Sequence, residues 1–422
     1  MIAALGIFPL IAIVIKRAVD VPYWDEWEWA ELAFAAHRHT LTFARLWQPH
    51  NEHRILVPNL MMLGLDAFGG WTPVREQLLS LGLLALTQLC VWLLIRRTVP
   101  AAWRGICFLG ASVLLLGLVQ YENLDWGFQM AWFVCDLAAV AVVLLLTRAR
   151  GSTRDLMFAA AVAAVASLSS SQGLIAWPIG LLAIALVPRR PIARGLAWVA
   201  TGSIVTLIVR AGAPTASEGH VGFTHVALLG RYVLAYLGAP FAMSFGVTAS
   251  IAVGAVLIVW IVVLASFAAR APLDRRVRLA PWLALTAYPL LSAIATASAR
   301  GGLGLAQATS SRYTSITTLG WIAALAATCI VVPRVARLPA LRAAVVSGAI
   351  AVLVLASAKQ SAAGNYDWRL HAADLRAARA AIAAGDSHGL LLVYPHPELA
   401  IDLLRELAEV KDGVFREGAG AR

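Results

Sequence analysis

Five polar segments interrupt an otherwise apolar chain, and they hold the residue types that could do chemistry. The first is DVPYWDEWEWAEL, residues 20–32, where Asp25 and Glu26 stand among Tyr23, Trp24, Trp27 and Trp29. A carboxylate beside aromatic rings at a membrane surface is partly desolvated, which raises its pKa and suits it to act as a general base. The rings could stack on a sugar, or form the aromatic belt common at membrane interfaces. The second segment, HNEHR, residues 50–54, holds Glu52, His53 and Arg54. A guanidinium fork matches phosphate oxygens, so Arg54 is a candidate phosphate ligand. His50 and His53 lack HExxH spacing, which argues against zinc. The third, YENLDWGFQ, residues 121–129, crowds Glu122, Asp125, Trp126 and Gln129 into one short stretch. The fourth, SSSQGLIAWP, residues 169–178, contributes Gln172, although a plain tight turn also accounts for it. The fifth, ARGGLGLAQATSSRY, residues 299–313, brings Arg300, Arg312 and Tyr313, with glycines that permit close backbone approach.

The elements that must carry these segments follow from composition. Of 422 residues, 60% are hydrophobic and 14% charged, and the mean hydropathy is +0.76. Soluble domains carry about 25% charged residues, so this chain has lipid as its solvent. The net charge of +11 does not mark a nucleic-acid binder. The arginines lie in short clusters between apolar runs, and no basic stripe is interleaved with aromatics. The four cysteines fall inside apolar runs without metal or redox spacing.

Apolar runs predict eleven membrane-spanning helices near 2–18, 77–95, 105–120, 130–147, 155–170, 173–188, 195–210, 241–268, 281–298, 313–332 and 343–358. Alternate connections carry Arg96, Arg97 and Arg104; Arg148, Arg150 and Arg154; Arg189, Arg190 and Arg194; Arg270, Arg275, Arg276 and Arg278; and Arg334, Arg337 and Arg342. The positive-inside rule makes these cytoplasmic, with the N-terminus inside and the C-terminus outside. All five polar segments then share the outer side, and Arg300 and Arg312 oppose the charge trend there, for a lipid phosphate or for headgroup snorkelling. Residues 55–69 read as a helix lying in the outer interface, inside a first outer loop spanning 20–76. The first run is short, with Lys16 and Arg17 at its outer end. Either it tilts and those two snorkel, or the start lies upstream. It lacks the basic region of a signal peptide. Residues 1–358 thus form a polytopic membrane domain, and 359–422 a small extracytoplasmic region patterned helix, strand, helix. Asp136, inside a span, must point into the bundle.

The order of these elements resembles the GT-C glycosyltransferases, particularly the aminoarabinose transferase and protein O-mannosyltransferase group and related bacterial multi-span proteins. Asp25-Glu26 matches the acidic pair after the first span. Glu52-His53-Arg54 occupies the turn before an interfacial helix, Leu56 to Phe68, that ends in Phe68-Gly69-Gly70. The turn lacks the family's Lys-Pro-Pro. The resemblance implies an all-α bacterial inner-membrane enzyme that takes a sugar from a polyprenyl-phosphate donor. The acceptor would be an envelope glycan, lipid or protein. It implies Asp25 as base, with Glu26 orienting the acceptor or sharing that role. Arg54, Arg300 and Arg312 would face the leaving phosphate, and Glu122, Trp126 and Gln129 the sugar or acceptor pocket. Some such enzymes use a divalent cation, for which Asp25, Glu26 and Glu122 are the available ligands. A transporter or flippase, and a non-catalytic envelope-assembly protein, are the competing readings.

Overall fold

The computed structural model describes residues 6–148, 151–187, 191–214, 219–222, 224–241, 243–335, 338–384, 387–395 and 400–405. Arg150, Arg189, Arg190, Arg337 and the second tail helix beyond residue 405 lie outside the described residues.

Sixteen α-helices occur among the described residues, with no named strand. A short α1 (Ile7–Arg17) leads to three helices of the first loop, α2 (Asp25–His37), α3 (Phe43–Trp47) and α4 (Leu56–Ala67). The bundle follows as α5 (Pro73–Thr98), α6 (Ala101–Leu115), α7 (Tyr121–Asp125), α8 (Met130–Leu146), α9 (Thr153–Ser167), α10 (Ala176–Leu186) and α11 (Pro191–Arg210). It continues as α12 (Val226–Gly238), α13 (Gly246–Arg270), α14 (Leu273–Arg300), α15 (Thr314–Val335) and α16 (Pro339–Ala383). The chain is an all-α polytopic membrane protein.

Eight of the eleven expected spans fall on helical segments long and apolar enough to cross a bilayer, those of α5, α6, α8, α11, α13, α14, α15 and α16. The other three are shorter: α1 has 11 residues, α9 has 15 and α10 has 11. At 1.5 Å per residue, 15 residues reach about 22 Å. Both ends of α9 are nevertheless tied to its neighbours. It starts where Arg148 pairs with Asp155 at 2.9 Å and ends where the Leu168 carbonyl accepts from the Val57 amide of the first loop at 3.1 Å. Lys16 and Arg17 end α1, and Arg17 does not snorkel. Its guanidinium donates to Asn365 Oδ1 and lies over Trp368, which ties α1 to α16.

The helix α12 falls where the hydropathy pattern predicts only an outer loop. It forms because two glycines bring it against α13. A Cβ at Gly238 would lie 2.0 Å from the Ser250 carbonyl, and one at Gly254 1.9 Å from the Leu234 carbonyl. Such backbone approach replaces the hydrophobic drive that lipid removes. α15 and α8 are the most enclosed helices, whereas α13 turns Val256, Val259 and Val262 outward. Outward-facing apolar residues of this kind suit contact with lipid tails.

A second, smaller core caps one end of the bundle. It joins Val19, Val21, Trp27 and Trp29 of the first loop to Phe128 and Met130, and to Leu375, Ala378, Leu390 and Tyr394 of the C-terminal region. α16 enters it without a break at residue 358, the boundary drawn from sequence. The strand expected near 389–394 is a correction: Ser387–Leu392 is 3-10 helix, packed on α16. GLLLVY has β-type composition, but among the described residues no strand edge pairs with it, and the helix surface decides its form. The arginine clusters sit at the opposite end. There Arg97 donates to the Leu144 carbonyl at 3.0 Å and Arg276 to those of Ala268 and Ala269, cations placed on helix C-termini.

Candidate functional site

Two cavities open at the capped end, on either side of the turn Ser311–Tyr313. That turn is held by α7. Glu122 Oε2 accepts from Ser310 Oγ at 3.0 Å and from the Arg312 amide at 3.1 Å, while Asn123 Nδ2 donates to the Arg312 carbonyl at 2.9 Å. In consequence Tyr313 lines one cavity and Arg312 the other.

The first cavity, of about 340 Å³, gathers Glu52, His53, Gln172, Arg300 and Tyr313 from segments far apart in sequence. Arg210, His220 and the hydroxyls of Ser171, Thr296 and Ser298 complete it. Arg300 approaches the Glu52 carboxylate at 3.6 Å, and Arg210, the second guanidinium of the lining, donates to the Glu52 carbonyl at 3.0 Å and the Pro214 carbonyl at 3.3 Å. His53 Nδ1 lies 2.5 Å from Ser171 Oγ, and Gln172 Nε2 donates to Thr296 Oγ1 at 3.2 Å. Burial pushes the His53 imidazole down to about 4, with Arg300, His50 and Arg210 adding to that against the pull of Glu52. His53 is therefore neutral at physiological pH. Burial alone would raise the Glu52 carboxyl, but His53 and Arg300 bring it below the ordinary range. Cations, hydroxyls and a neutral imidazole stand here beside the Glu52 carboxylate, a donor set able to bond an oxyanion.

The second cavity, of about 250 Å³, gathers Glu122, Trp126 and Arg312, with Tyr23, Trp24, Tyr121, Asp125 and His371. Trp126 stands edge-on to Tyr23 with centroids 5.5 Å apart. This wall is aromatic and acidic where the first is basic.

Asp25 lines neither cavity, although its neighbour Trp24 lines the second. It opens α2 directly after Trp24, and its Oδ1 is 3.7 Å from His50 Nε2. His50 Nδ1 is 3.3 Å from Glu28. His50 and His53 exchange backbone hydrogen bonds in a tight turn, so His50 is anchored to the rim of the first cavity. Burial would lower the His50 pKa, but the close approach of Asp25 and the charges of Glu28 and Glu52 raise it overall. Of the three non-glycine residues with positive φ among the described residues, two flank this contact, Trp24 at 48° and Asn51 at 49°. Such strain costs about 1–3 kcal/mol per residue and persists only where the surroundings hold it. Here the Trp24 amide donates to the Val393 carbonyl at 2.8 Å.

No family model, no curated protein and no solved structure matches this chain.

Several of the candidates read from the amino-acid sequence stand elsewhere than in the cavities. Glu26 is only 1% exposed. Its Oε2 accepts from the Tyr23 amide at 2.9 Å and its Oε1 from the Phe128 amide at 3.2 Å. It clamps α2 to the 127–129 turn. Burial, then the Glu76 carboxyl, hold its pKa well above the usual range. Gly127 is required there, because a Cβ would fall 2.6 Å from Glu76 Oε2 and 3.1 Å from Glu26 Oε1. Arg54 lines neither cavity. It is 5% exposed, stacks on Trp47, and gives its guanidinium to the carbonyls of Val209, Ala211 and Trp47. It closes the C-terminal end of α11, where carbonyls lack helical partners, with three of its five N–H groups given to backbone carbonyls. Gln129 is buried beside Glu26's turn and lines neither cavity. Asp25, Glu26 and Glu122 do not converge, and among the described residues no three His, Cys, Asp or Glu side chains form a group able to hold a metal ion. Asp136 faces into the bundle and accepts from Tyr288 Oη at 3.0 Å, a bond between helices.

Sequence reasoning missed Arg210, His220 and His371. Arg210 carried a usable signal, because like Arg300 it ends an apolar helix on the arginine-poor side.

Proposed function

We propose that this chain is a bacterial inner-membrane glycosyltransferase of GT-C-like design, with eleven crossings and the capped end outside the cytoplasm. One observation carries the reading: a basic, hydroxyl-lined cavity and an acidic, aromatic one share the Ser311–Tyr313 turn, and the Asp25–His50 contact adjoins Trp24 of the second and is tied through His50 to His53 of the first. The charge distribution supports the orientation, since the arginine clusters lie at the end opposite the cap. The eleven crossings follow the alternation of direction, with α1, α9 and α10 short and the bilayer locally thinned around them.

In this reading the phosphate of a polyprenyl-phosphate sugar occupies the first cavity, against Arg210 and Arg300. Asp25 accepts the proton of an acceptor hydroxyl as its oxygen attacks the anomeric carbon. The bond from that carbon to the phosphate oxygen breaks, and the phosphate leaves with the electron pair. Its growing charge is met by the two guanidiniums and the Ser171 and Thr296 hydroxyls, which is how preorganised donors lower such a barrier. His50 fixes the Asp25 carboxylate toward this task. Glu26 acts by holding the turn.

Transfer of radiolabelled sugar from a polyprenyl-phosphate donor tests this, comparing the parent chain with Asp25→Asn at matched expression. Loss of a catalytic base costs about 10²–10⁴-fold. Equal rates in the two chains would remove Asp25 from the chemistry. Absence of transfer from every donor, with folded protein, would overturn the reading.

A further inference from the structure

The second cavity contains an arrangement that the transfer mechanism leaves unused. Asp125, at the end of α7, has a fully buried side chain, and neither carboxylate oxygen makes a hydrogen bond of ordinary geometry. The titratable group beside it is His371, whose Nε2 stands 3.6 Å from Oδ2. His371 belongs to the part of α16 that continues past the bundle into the cap. Its side chain is 23% exposed and lines the cavity, with Tyr23 edge-on at 4.6 Å. The buried acid stands behind the partly exposed imidazole at 3.6 Å, a charge approach that favours a proton on the nitrogen facing it and leaves Nδ1 to accept.

The rest of the wall is matched to a hydroxyl-rich ligand. Trp24 is 46% exposed, although its backbone is strained. Trp126 Nε1 and Arg312 Nε are buried donors without partners. Flat aromatic surface, a positioned acceptor, unused donors and an acidic neighbour are what a sugar ring offers partners for. Its C–H face stacks and its hydroxyls bond at the edge.

We propose that this cavity binds one saccharide unit, with a sugar hydroxyl donated to His371, which Asp125 positions, and the ring laid against Trp24. The inference rests on the glycosyltransferase reading only in naming that sugar as part of the acceptor. As a binding statement it is independent of transfer.

The test uses the purified full chain in nanodiscs, with methyl α-mannopyranoside, methyl β-galactopyranoside and methyl α-arabinofuranoside as probes, read by saturation-transfer-difference NMR. At least one glycoside is expected to give transfer signals. Trp24→Ala, His371→Ala and Asp125→Asn should each weaken its binding about tenfold or more, the range for a lost stacking face or a lost bond to a charged or charge-fixed group. Arg300→Gln, in the other cavity, should leave it unchanged. Trp24 is half exposed, so its variant folds even where a buried one does not. Absence of signal from all three glycosides on folded protein would overturn the proposal, as would signal unchanged in Trp24→Ala and His371→Ala. Glycoside binding in a chain that transfers no sugar would sustain this site and sink the glycosyltransferase reading. Sugar transfer without glycoside binding would do the reverse.

Discussion

Arg54 offers the sharpest separation between a structural and a phosphate-binding role. Its guanidinium bonds to the carbonyls of Val209, Ala211 and Trp47 and stacks on the Trp47 ring. Replacing it with Met keeps the apolar stem and removes every donor. A hydrogen bond to a charged group contributes about 1.5–3 kcal/mol, and an orphaned buried acceptor costs about 1–3 kcal/mol. Three bonds do not add fully, because water reaches a helix end and the bonds share one residue. A loss of about 3–5 kcal/mol is expected, with roughly 0.5–2 kcal/mol of it from the stacking. Lys restores one donor and the charge, so Arg54→Lys should recover about 1 kcal/mol. Denaturant or thermal unfolding of the purified protein in one detergent measures both. Binding of a polyprenyl phosphate to the protein that remains folded should be unchanged. Stability within about 1 kcal/mol of the parent, together with lost lipid-phosphate binding, would refute this assignment and return Arg54 to the anion site.

Other outcomes follow from the same geometry. Gly127→Ala should destabilise the chain by about 1–3 kcal/mol, because its Cβ would meet Glu76 Cβ at 2.5 Å and that atom belongs to a packed helix; unfolding curves that overlay the parent's would show that the turn yields. The His53 imidazole is held at about 4, below its ordinary 6.5, so between those values the folded chain binds fewer protons than the unfolded one. Its contribution is therefore present above pH 6.5 and lost as pH falls toward 4, by about 3 kcal/mol at most. His53→Gln should flatten the stability profile across that window, and a slope unchanged by the substitution would place the titration elsewhere.

Much of the fold was legible because lipid imposes long apolar runs, and eight of the expected spans fall on helices that can cross a bilayer. A helix over Leu56–Ala67 was legible too, ahead of Phe68-Gly69-Gly70. What was not legible depends on contacts distant in sequence. α12 is apolar but too short to stand out as a span, and its close packing on α13 through Gly238 and Gly254 depends on contacts that composition does not display. The tail strand failed because local β preference carries no information on whether a partner strand is present. At the site, the cavities gather Glu52, His53, Gln172, Arg300 and Tyr313, and Glu122, Trp126 and Arg312, whereas Asp25, Glu26, Arg54 and Gln129 line neither. Arg54 and Glu26 are polar residues in polar segments, yet each is consumed by backbone groups that sequence cannot place. His371 is a lone histidine in a charged helix, and only its approach to Asp125 gives it meaning.

The strain at Trp24 and Asn51 connects these observations. Neither backbone would hold a positive φ unaided, so each must be fixed from outside. Asn51 is fixed by the paired backbone bonds of His50 and His53, and Trp24 by the Val393 carbonyl of the C-terminal region. The same region packs on Trp27 through Tyr394, whose hydroxyl donates to Glu28 Oε1 at 3.3 Å. Glu28 in turn faces His50. The C-terminal region thus sets the backbone of the residue before Asp25 and touches the charge network around His50. A chain of fixed contacts runs from the last helix, through the first loop, to the rim of the basic cavity. The cap therefore works as a preorganising scaffold for the site rather than as an appended module. Its α16 segment supplies His371 directly, and its Val393 carbonyl holds the strained residue against which a ligand would lie.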